Sequence, residues 1–391
     1  MKLRNIVLLL LIAVTVTACS SSHPLDHRTT QDSYQDAVIA GAEDYIGEPL
    51  RFWASDQPDF LFDHTLQQSP LVVKGDRLSI LALSGGGAKG AFGAGVVVGL
   101  NDQGKLPDYT IVTGISVGAL IAPFVYVGDS ELDRLHDVML QLSDEAILGK
   151  KNVMNTLFKD AMSSGENMLD FLAQAYPEAM IDEVAQRHRE GKRLFIGSTH
   201  FDSGELMIWN LGAIANSSLD NKVALFHQVL ASSASIPGVF PPQFIDVVEG
   251  QELREELHVD GGLSAQVFFN PSQFEYQQLS HALGLTKSPQ LDVIRNGVLS
   301  QPFHPVKDNG IELLSKSLSN LTLLQARGDI YRMQYFSAID DIDMQFTYLE
   351  SDLSEYKKTK QMFDAEHMKA MYNYGYQKSF SNQLWHQSMP L

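Results

Sequence analysis

The sequence predicts an α/β fold with layered helices over a parallel sheet. Two features carry this expectation: strand, turn and helix follow one another twice in succession, and the strand-like runs are short and apolar throughout rather than alternating. Leu78-Ser79-Ile80-Leu81-Ala82-Leu83 is the first such run, and it ends in glycines. Ala88 to Leu100 reads as a small-residue helix stopped by Asn101 to Gly104. Tyr109 to Thr113 is expected as the second strand and Val117 to Val127 as the second helix. Residues 131–190 are mostly helical in pattern, including Ala179 to Arg189. Arg193 to Ser198 and Glu205 to Trp209 are expected strands around the turn Asp202-Ser203-Gly204, and Val223 to Ala231 is a helix ending before Pro237. Farther on, the pattern gives a strand near Leu291–Ile294, a long helix over Ile311–Tyr335, a strand near Gln345–Leu349 and a terminal helix.

The chain has 391 residues, 44% of them hydrophobic and 19% charged, which is the composition of a globular protein with a sizeable core. Its net charge of −18 and the absence of a Lys/Arg-dense run argue against nucleic acid or anionic lipid bound through a general electrostatic field. The single cysteine, Cys19, excludes an intrachain disulfide framework and a Cys-rich metal site. Lys2 and Arg4 precede an apolar run from Ile6 to Val14 and then small residues to Ala18, the layout of a secretory signal too short to span a membrane comfortably. Val16-Thr17-Ala18-Cys19 resembles the lipobox of bacterial lipoproteins. That resemblance implies cleavage before Cys19, lipidation of its sulfur and usually acylation of its new amine, with several chains giving a firm anchor. Ser20, which is not an aspartate, implies by analogy the outer membrane of a two-membrane bacterium. The expected organisation is a signal peptide over 1–18, a lipidated tether over 19–70, a catalytic domain over 71–300 and a mainly helical extension over 301–391.

Three segments carry chemistry. Gly114-Ile115-Ser116-Val117-Gly118 fits G-x-S-x-G between an expected strand and an expected helix, where a tight turn exposes a serine hydroxyl at a helix N-terminus. Gly85-Gly86-Gly87-Ala88-Lys89-Gly90 ends the first strand with uncovered backbone N–H groups, as an oxyanion hole requires. Its letters also satisfy G-x-G-x-x-G, but the available acid, Asp108, precedes the second strand instead of ending it, and Gly90 stands where a P-loop needs Ser or Thr. Asp260-Gly261-Gly262 places a carboxylate on an open turn, where it can take the serine's proton.

Together these segments resemble the patatin-like phospholipase family. The resemblance extends to Thr199-His200-Phe201-Asp202-Ser203-Gly204-Glu205 and to the block from Ala231 to Pro242, so that five ordered blocks lie between Arg77 and Ala265. It implies a three-layer α/β/α fold with a mainly parallel central sheet and a Ser–Asp dyad, with Ser116 as nucleophile, Asp260 as base and Gly85, Gly86 and Gly87 as the oxyanion hole. Lys89, Gly90, Gly114, Gly118, Gly261 and Gly262 complete the matched motifs. The implied activity is hydrolysis of lipid carboxylic esters, of phospholipase A or lysophospholipase type, beside a membrane and with no metal or organic cofactor. An acyltransferase or thioesterase on the same dyad, or a catalytically silent lipid-binding lipoprotein, are the alternatives.

Four points stay open in the sequence. His258 lies two residues before Asp260, on the same face of a strand, so a Ser–His–Asp triad competes with the dyad. Lys89 either meets a lipid phosphate or caps its surroundings. Ser232, Ser233 and Ser235 are expected to end a helix and shape the pocket wall. The apolar stretch from Asn152 to Tyr176, with Met154, Leu157, Phe158, Met162, Met168, Leu169, Phe171 and Leu172, is either a lid or acyl-chain wall, or a pair of helices covering the sheet. Replacing Gly86 by alanine is expected to lower turnover more than stability.

Overall fold

In the run from Ile80 to Leu83, successive residues of one strand point to opposite sides of a sheet, and all four are apolar, so both sides must be covered. A computed structural model describes residues 25–148, 161–269, 272, 274–301, 303 and 305–390 and shows this arrangement. The strands are β1 (Val38–Ile39), β2 (Arg51–Trp53), β3 (Ser79–Leu83), β4 (Ile111–Ile115), β5 (Arg193–His200), β6 (Glu205–Asn210), β7 (Gln243–Glu249), β8 (Glu252–Asp260), β9 (Gln290–Arg295) and β10 (Asp343–Tyr348). The helices are α1 (Gly90–Asp102), α2 (Val117–Val127), α3 (Asp129–Gln141), α4 (Asp144–Leu148), α5 (Ala161–Ala175), α6 (Glu178–Arg189), α7 (Leu211–Asn216), α8 (Lys222–Ala234), α9 (Tyr276–Ala282), α10 (Gly310–Ile339) and α11 (Ala365–Ser379).

All ten strands belong to one sheet. Its middle, in the order β5-β4-β3-β9-β10, is parallel, and its other side, made of β6, β2, β8, β7 and β1, is antiparallel. Leu81 and Leu83 pack under α1, α2, α6, α8 and α11, whereas Ile80 and Ala82 pack with Val267, Phe268, Leu279 and Met333 on the opposite face. The fold is therefore a mixed α/β structure with a central, largely parallel sheet flanked by helices. Close approach on the first face uses small residues: a Cβ at Gly95 would lie 2.1 Å from the Tyr372 carbonyl, and one at Gly375 would lie 2.1 Å from that of Phe92. This contact ties α11, from the end of the chain, to α1.

The strand of the second βα unit sits two residues later than its sequence pattern suggests, at Ile111–Ile115 in place of 109–113, and so runs directly into Ser116. Residues 38–39 and 51–53 pair with β7 and β6, although their stretch showed no sustained period. Strands of two or three residues are too short to display an alternation. The β7–β8 hairpin, which turns at Gly250, was also not anticipated as a pair of strands.

One pairing positions the site. Along one edge, residues 195–200 of β5 are taken by β6. The other edge is shared. β4 runs parallel along it and ends with Ile115 opposite Gly197, while β8 comes from the other end and finishes with Asp260 opposite Ser198. Two strands thus end head to head at adjacent residues of a third, and the next residue after β4 is Ser116. Cys19 and the signal-like segment, together with Met154, Leu157 and Phe158, lie outside the described residues. Among the described residues no helix is long and apolar enough to cross a membrane.

Candidate active site

Ser116 occupies the turn between β4 and α2 with φ 54° and ψ −124°, a conformation that costs a non-glycine residue on the order of 1–3 kcal/mol. Its surroundings hold it there. The Ser116 N–H donates to Ser233 Oγ at 2.9 Å, Ser233 Oγ donates onward to the Gly197 carbonyl at 2.7 Å, and the Ser116 carbonyl accepts from Ala119 N at 2.9 Å. Ser233 thus braces the backbone of Ser116 rather than only forming a wall. The flanking glycines allow close passage: a Cβ at Gly114 would lie 2.6 Å from the Gly118 carbonyl, and one at Gly118 would lie 2.3 Å from that of Leu83. Gly90 does the same for α1, because a Cβ there would lie 2.1 Å from Val117 Cγ2.

Ser116 Oγ–H donates to Asp260 Oδ2 at 2.7 Å, and both residues are buried. The other carboxylate oxygen, Oδ1, accepts from the Gly262 N–H at 2.7 Å, which fixes the plane of the acid. Gly261 lets the turn sit against β5, since a Cβ there would lie 2.3 Å from the Gly197 carbonyl; one at Gly262 would crowd Asp260 Oδ1 at 2.8 Å. Burial pushes the Asp260 carboxyl up to about 6, against the opposing pull of the Ser116 and Gly262 hydrogen bonds. A base with that value is a stronger proton acceptor than a solvated aspartate and is still mostly ionised at neutral pH.

His258 does not join this pair. Its Nδ1 meets Ser198 Oγ at 3.0 Å and its Nε2 meets Glu256 Oε2 at 3.1 Å, while Arg51 holds Glu256 through two contacts. Trp209 Nε1 also donates to Ser198 Oγ, at 2.8 Å. Burial lowers the imidazole's pKa, and both ring nitrogens are engaged in this separate network. The geometry favours the dyad over the triad.

The three glycines divide in role. Gly85 N–H donates to the Gln266 carbonyl at 2.9 Å, so it is not available to an oxyanion, and the expectation of three donors is corrected to two. Gly86 and Gly87 remain, and neither N–H has an acceptor among the described residues. The loop lies against Ser116, for a Cβ on Gly85 would be 3.3 Å from Ser116 Cβ. Lys89 is half-buried and its pKa is lowered, chiefly by burial and then by the charge of Arg295. One helical turn from Ser116 lies a narrow apolar pocket lined by Leu120, Leu142, Ile147, Met168, Phe171, Leu172 and Ala234. Met168, Phe171 and Leu172, from the stretch read as a lid or acyl-chain wall or as covering helices, therefore line this small space. Gln266 was not anticipated from the sequence; besides holding Gly85, its Nε2 donates to the Gly262 carbonyl at 2.7 Å and so links the glycine loop to the acid's turn. Among the described residues no group of His, Cys, Asp and Glu is disposed to hold a metal ion.

Two predictions follow from this geometry. A Cβ at Gly86 would lie 1.9 Å from the Asn296 carbonyl, whereas one at Gly87, with φ +57°, meets nothing within 4 Å. Gly86→Ala should therefore lower melting temperature and turnover together, revising the expectation of a mainly catalytic effect. Gly87→Ala should lose only about 1–2 kcal/mol for its left-handed backbone. Equal losses of melting temperature in the two variants would refute this account of the loop. The second prediction concerns Asp260. Its folded pKa of about 6 exceeds the ordinary 3.8, so the folded state holds the proton more tightly, and stability from this group is present below about pH 4 and lost as pH rises through 6. Asp260→Asn should be inactive yet more stable than wild type at pH 8, by on the order of 3 kcal/mol in denaturant unfolding, with the gap closing in acid. Wild-type kcat/KM should fall about tenfold per pH unit below pH 6. A flat profile from pH 4 to 8 would exclude a buried carboxylate base.

Residues 81–271 match the family model described as Patatin-like phospholipase. No curated protein matches the chain. Among solved structures, VipD from Legionella pneumophila aligns at 13% identity and a TM-score of 0.34, over 78% of this chain and 66% of its own. The type III effector protein ExoU of Pseudomonas aeruginosa aligns at 14% identity and a TM-score of 0.31, over 78% of this chain and 54% of its own. Human GIVD cytosolic phospholipase A2 gives 13% identity and a TM-score of 0.25, over 62% of this chain and 43% of its own. This chain thus spans between two fifths and two thirds of the length of these proteins. The segment 81–271, which contains the Ser116–Asp260 pair, belongs to the patatin-like phospholipase family.

Proposed function

We propose that this chain is a serine acyl hydrolase that cleaves carboxylic esters of membrane lipids, with phospholipids or lysophospholipids as substrates. The observation that carries the reading is the 2.7 Å hydrogen bond from Ser116 Oγ to a buried Asp260, which has no cation beside it among the described residues and whose proton affinity is raised. In the proposed reaction Asp260 Oδ2 takes the hydroxyl proton while Ser116 Oγ attacks the ester carbonyl carbon. The carbonyl oxygen becomes an oxyanion facing the Gly86 and Gly87 N–H groups. Asp260 then returns the proton to the leaving alcohol oxygen as the C–O bond breaks, leaving an acyl-serine. Water, deprotonated by the same carboxylate, attacks the acyl carbon; the fatty acid departs and Ser116 recovers its proton. The side chains beside Leu120 and Ala234 match an acyl chain in chemistry, but the space they enclose is about that of one water, so they would have to part to admit one.

Hydrolysis of a panel of phospholipids and lysophospholipids tests this reading. Wild-type protein should release free fatty acid and take one fluorophosphonate label on Ser116, whereas Ser116→Ala should do neither. His258→Ala, per folded molecule, should keep at least about a tenth of wild-type turnover, because its ring serves the Ser198–Glu256 network. Release of no fatty acid from any lipid by a labelled wild-type enzyme would instead favour a transferase.

We further propose that the chain acts at a membrane to which lipidated Cys19 anchors it, a reading that rests on the lipobox-like tetrapeptide. In a two-membrane bacterium, wild-type protein should fractionate with the outer membrane, and Cys19→Ala should appear in soluble fractions. A mature protein with the mass of an unmodified chain would refute the anchor.

A further inference from the structure

Arg295, at the end of β9, is buried directly behind the glycine loop. Among the described residues no carboxylate lies within ion-pair distance of it; Asp329 acts on it only as a more distant charge, and burial pushes the guanidinium down to about 10. A cation in such a place is expensive unless its donors are well used, and among the described residues Nε has no partner, so the hydrogen bonds of Nη1 carry the whole compensation. Nη1 donates to the Gly85 carbonyl at 2.8 Å and to Ser84 Oγ at 3.2 Å. Ser84 Oγ itself donates to the same Gly85 carbonyl at 2.8 Å. That carbonyl belongs to the peptide unit whose N–H is that of Gly86. In a trans peptide the C=O and N–H point in opposite directions, so a carbonyl held toward Arg295 turns the Gly86 N–H away from it. The N–H is left without an acceptor among the described residues, in a loop that touches Ser116.

We propose that Arg295 is a positioning residue for the oxyanion hole: it fixes the Gly85–Gly86 peptide from behind and polarises it, making the Gly86 N–H a stronger donor. A cation on the carbonyl draws electron density through the amide, and hydrogen bonds in such a chain strengthen one another. The opposite side of the loop is held with equal care, since Gly85 N–H donates to the Gln266 carbonyl and the Gln266 N–H donates to Asp329 Oδ2 at 2.7 Å. Arg295 and Asp329 both lie outside residues 81–271, so the last part of the chain supplies the backing for a loop near the beginning of that segment. This inference rests on the hydrolase reading for its kinetic consequence, though not for its structural one.

The sequence offers a selective probe. Gly-Gly pairs occur only at 85–86, 86–87 and 261–262, so protein made with glycine labelled at both carbonyl carbon and nitrogen yields three carbonyl-filtered amide signals, from Gly86, Gly87 and Gly262. Gly87→Ala removes one, Asp260→Asn shifts Gly262, and the remaining signal is Gly86. In full-length Arg295→Met the Gly86 amide proton should move upfield while Gly262 stays in place. kcat on a p-nitrophenyl ester should fall about 10–100-fold, less than the loss of a whole oxyanion donor, with KM changed less than about threefold. Arg295→Lys, which restores the charge, should lie between wild type and Arg295→Met in both readouts. An unmoved Gly86 signal, an unchanged kcat in the folded variant, or a lysine variant no better than methionine would overturn the proposal. Should Arg295→Met not fold, Arg295→Lys carries the test: a partial shift with reduced kcat supports the proposal, and wild-type values in both refute it. If wild-type enzyme cleaves no ester, the hydrolase reading fails while the Gly86 signal still decides the role of Arg295.

Discussion

The candidate site depends on a change of partner along a single strand edge. Gly197 of β5 pairs with Ile115 and Ser198 pairs with Asp260, so the ends of β4 and β8 meet with no intervening loop. The Ser116–Asp260 distance is therefore set by the repeat of a β-sheet, one of the stiffest rulers available in a protein. A slip of one residue in either pairing would carry a side chain about 3.3 Å along the strand and turn it to the opposite face. A Cβ at Gly197 would lie 2.4 Å from Ile115 Cδ1, so any larger residue there would force that side chain to move.

Charge is distributed unevenly about this junction. On one side burial raises the affinity of the Asp260 carboxyl for a proton, against the pull of its neutral donors Ser116 and Gly262, and among the described residues no cation adds to that pull. On the other side a buried guanidinium stands behind the glycine loop, with burial lowering its own affinity. The strong ion pairs of the neighbourhood are kept apart from both: Glu256, held down to about 2 chiefly by the charge of Arg51, belongs to the His258 network on the far part of β8. Under the proposed reaction, negative charge moves from the acid's side toward the cation's side as the hydroxyl adds to the carbonyl. A field already oriented in that direction requires little rearrangement when the charge moves.

Much of this was legible in the sequence because the relevant signals are local. The Gly-flanked Ser116, the triple glycine and Asp260-Gly261-Gly262 each announce a turn through residues that only such turns require, and the apolar runs of β3 and β5 announce burial on both faces. The long helix over 310–339 and the strand over 343–348 were also readable from composition. β7 escaped notice although Gln243, Ile245 and Val247 are buried and Asp246 is exposed, a period-two pattern partly masked by a polar residue facing inward. The bracing residues were not legible for a deeper reason. Ser233, Gln266, Arg295 and Asp329 act through backbone groups tens to hundreds of positions away, and nothing beside them in the chain marks that use. Likewise the loss of Gly85 as a donor depends on Gln266, which no glycine motif contains.

The separation of these parts along the chain bears on how the protein comes into being. The Ser116–Asp260 contact spans 144 residues and the Arg295–Gly85 contact spans 210. During synthesis the serine emerges long before its acid, and the glycine loop emerges long before the guanidinium behind it. A nascent or truncated chain ending before residue 260 contains the turn sequence of Ser116 but has neither a proton acceptor nor the β8 end that meets β4. Such long-range closure is among the slower events of folding. Under the proposed reaction the late arrival of Asp260 would withhold ester attack until the chain had grown past residue 260, so that shorter chains emerging in the cell would carry Ser116 without the acid needed to turn it on the cell's own lipids.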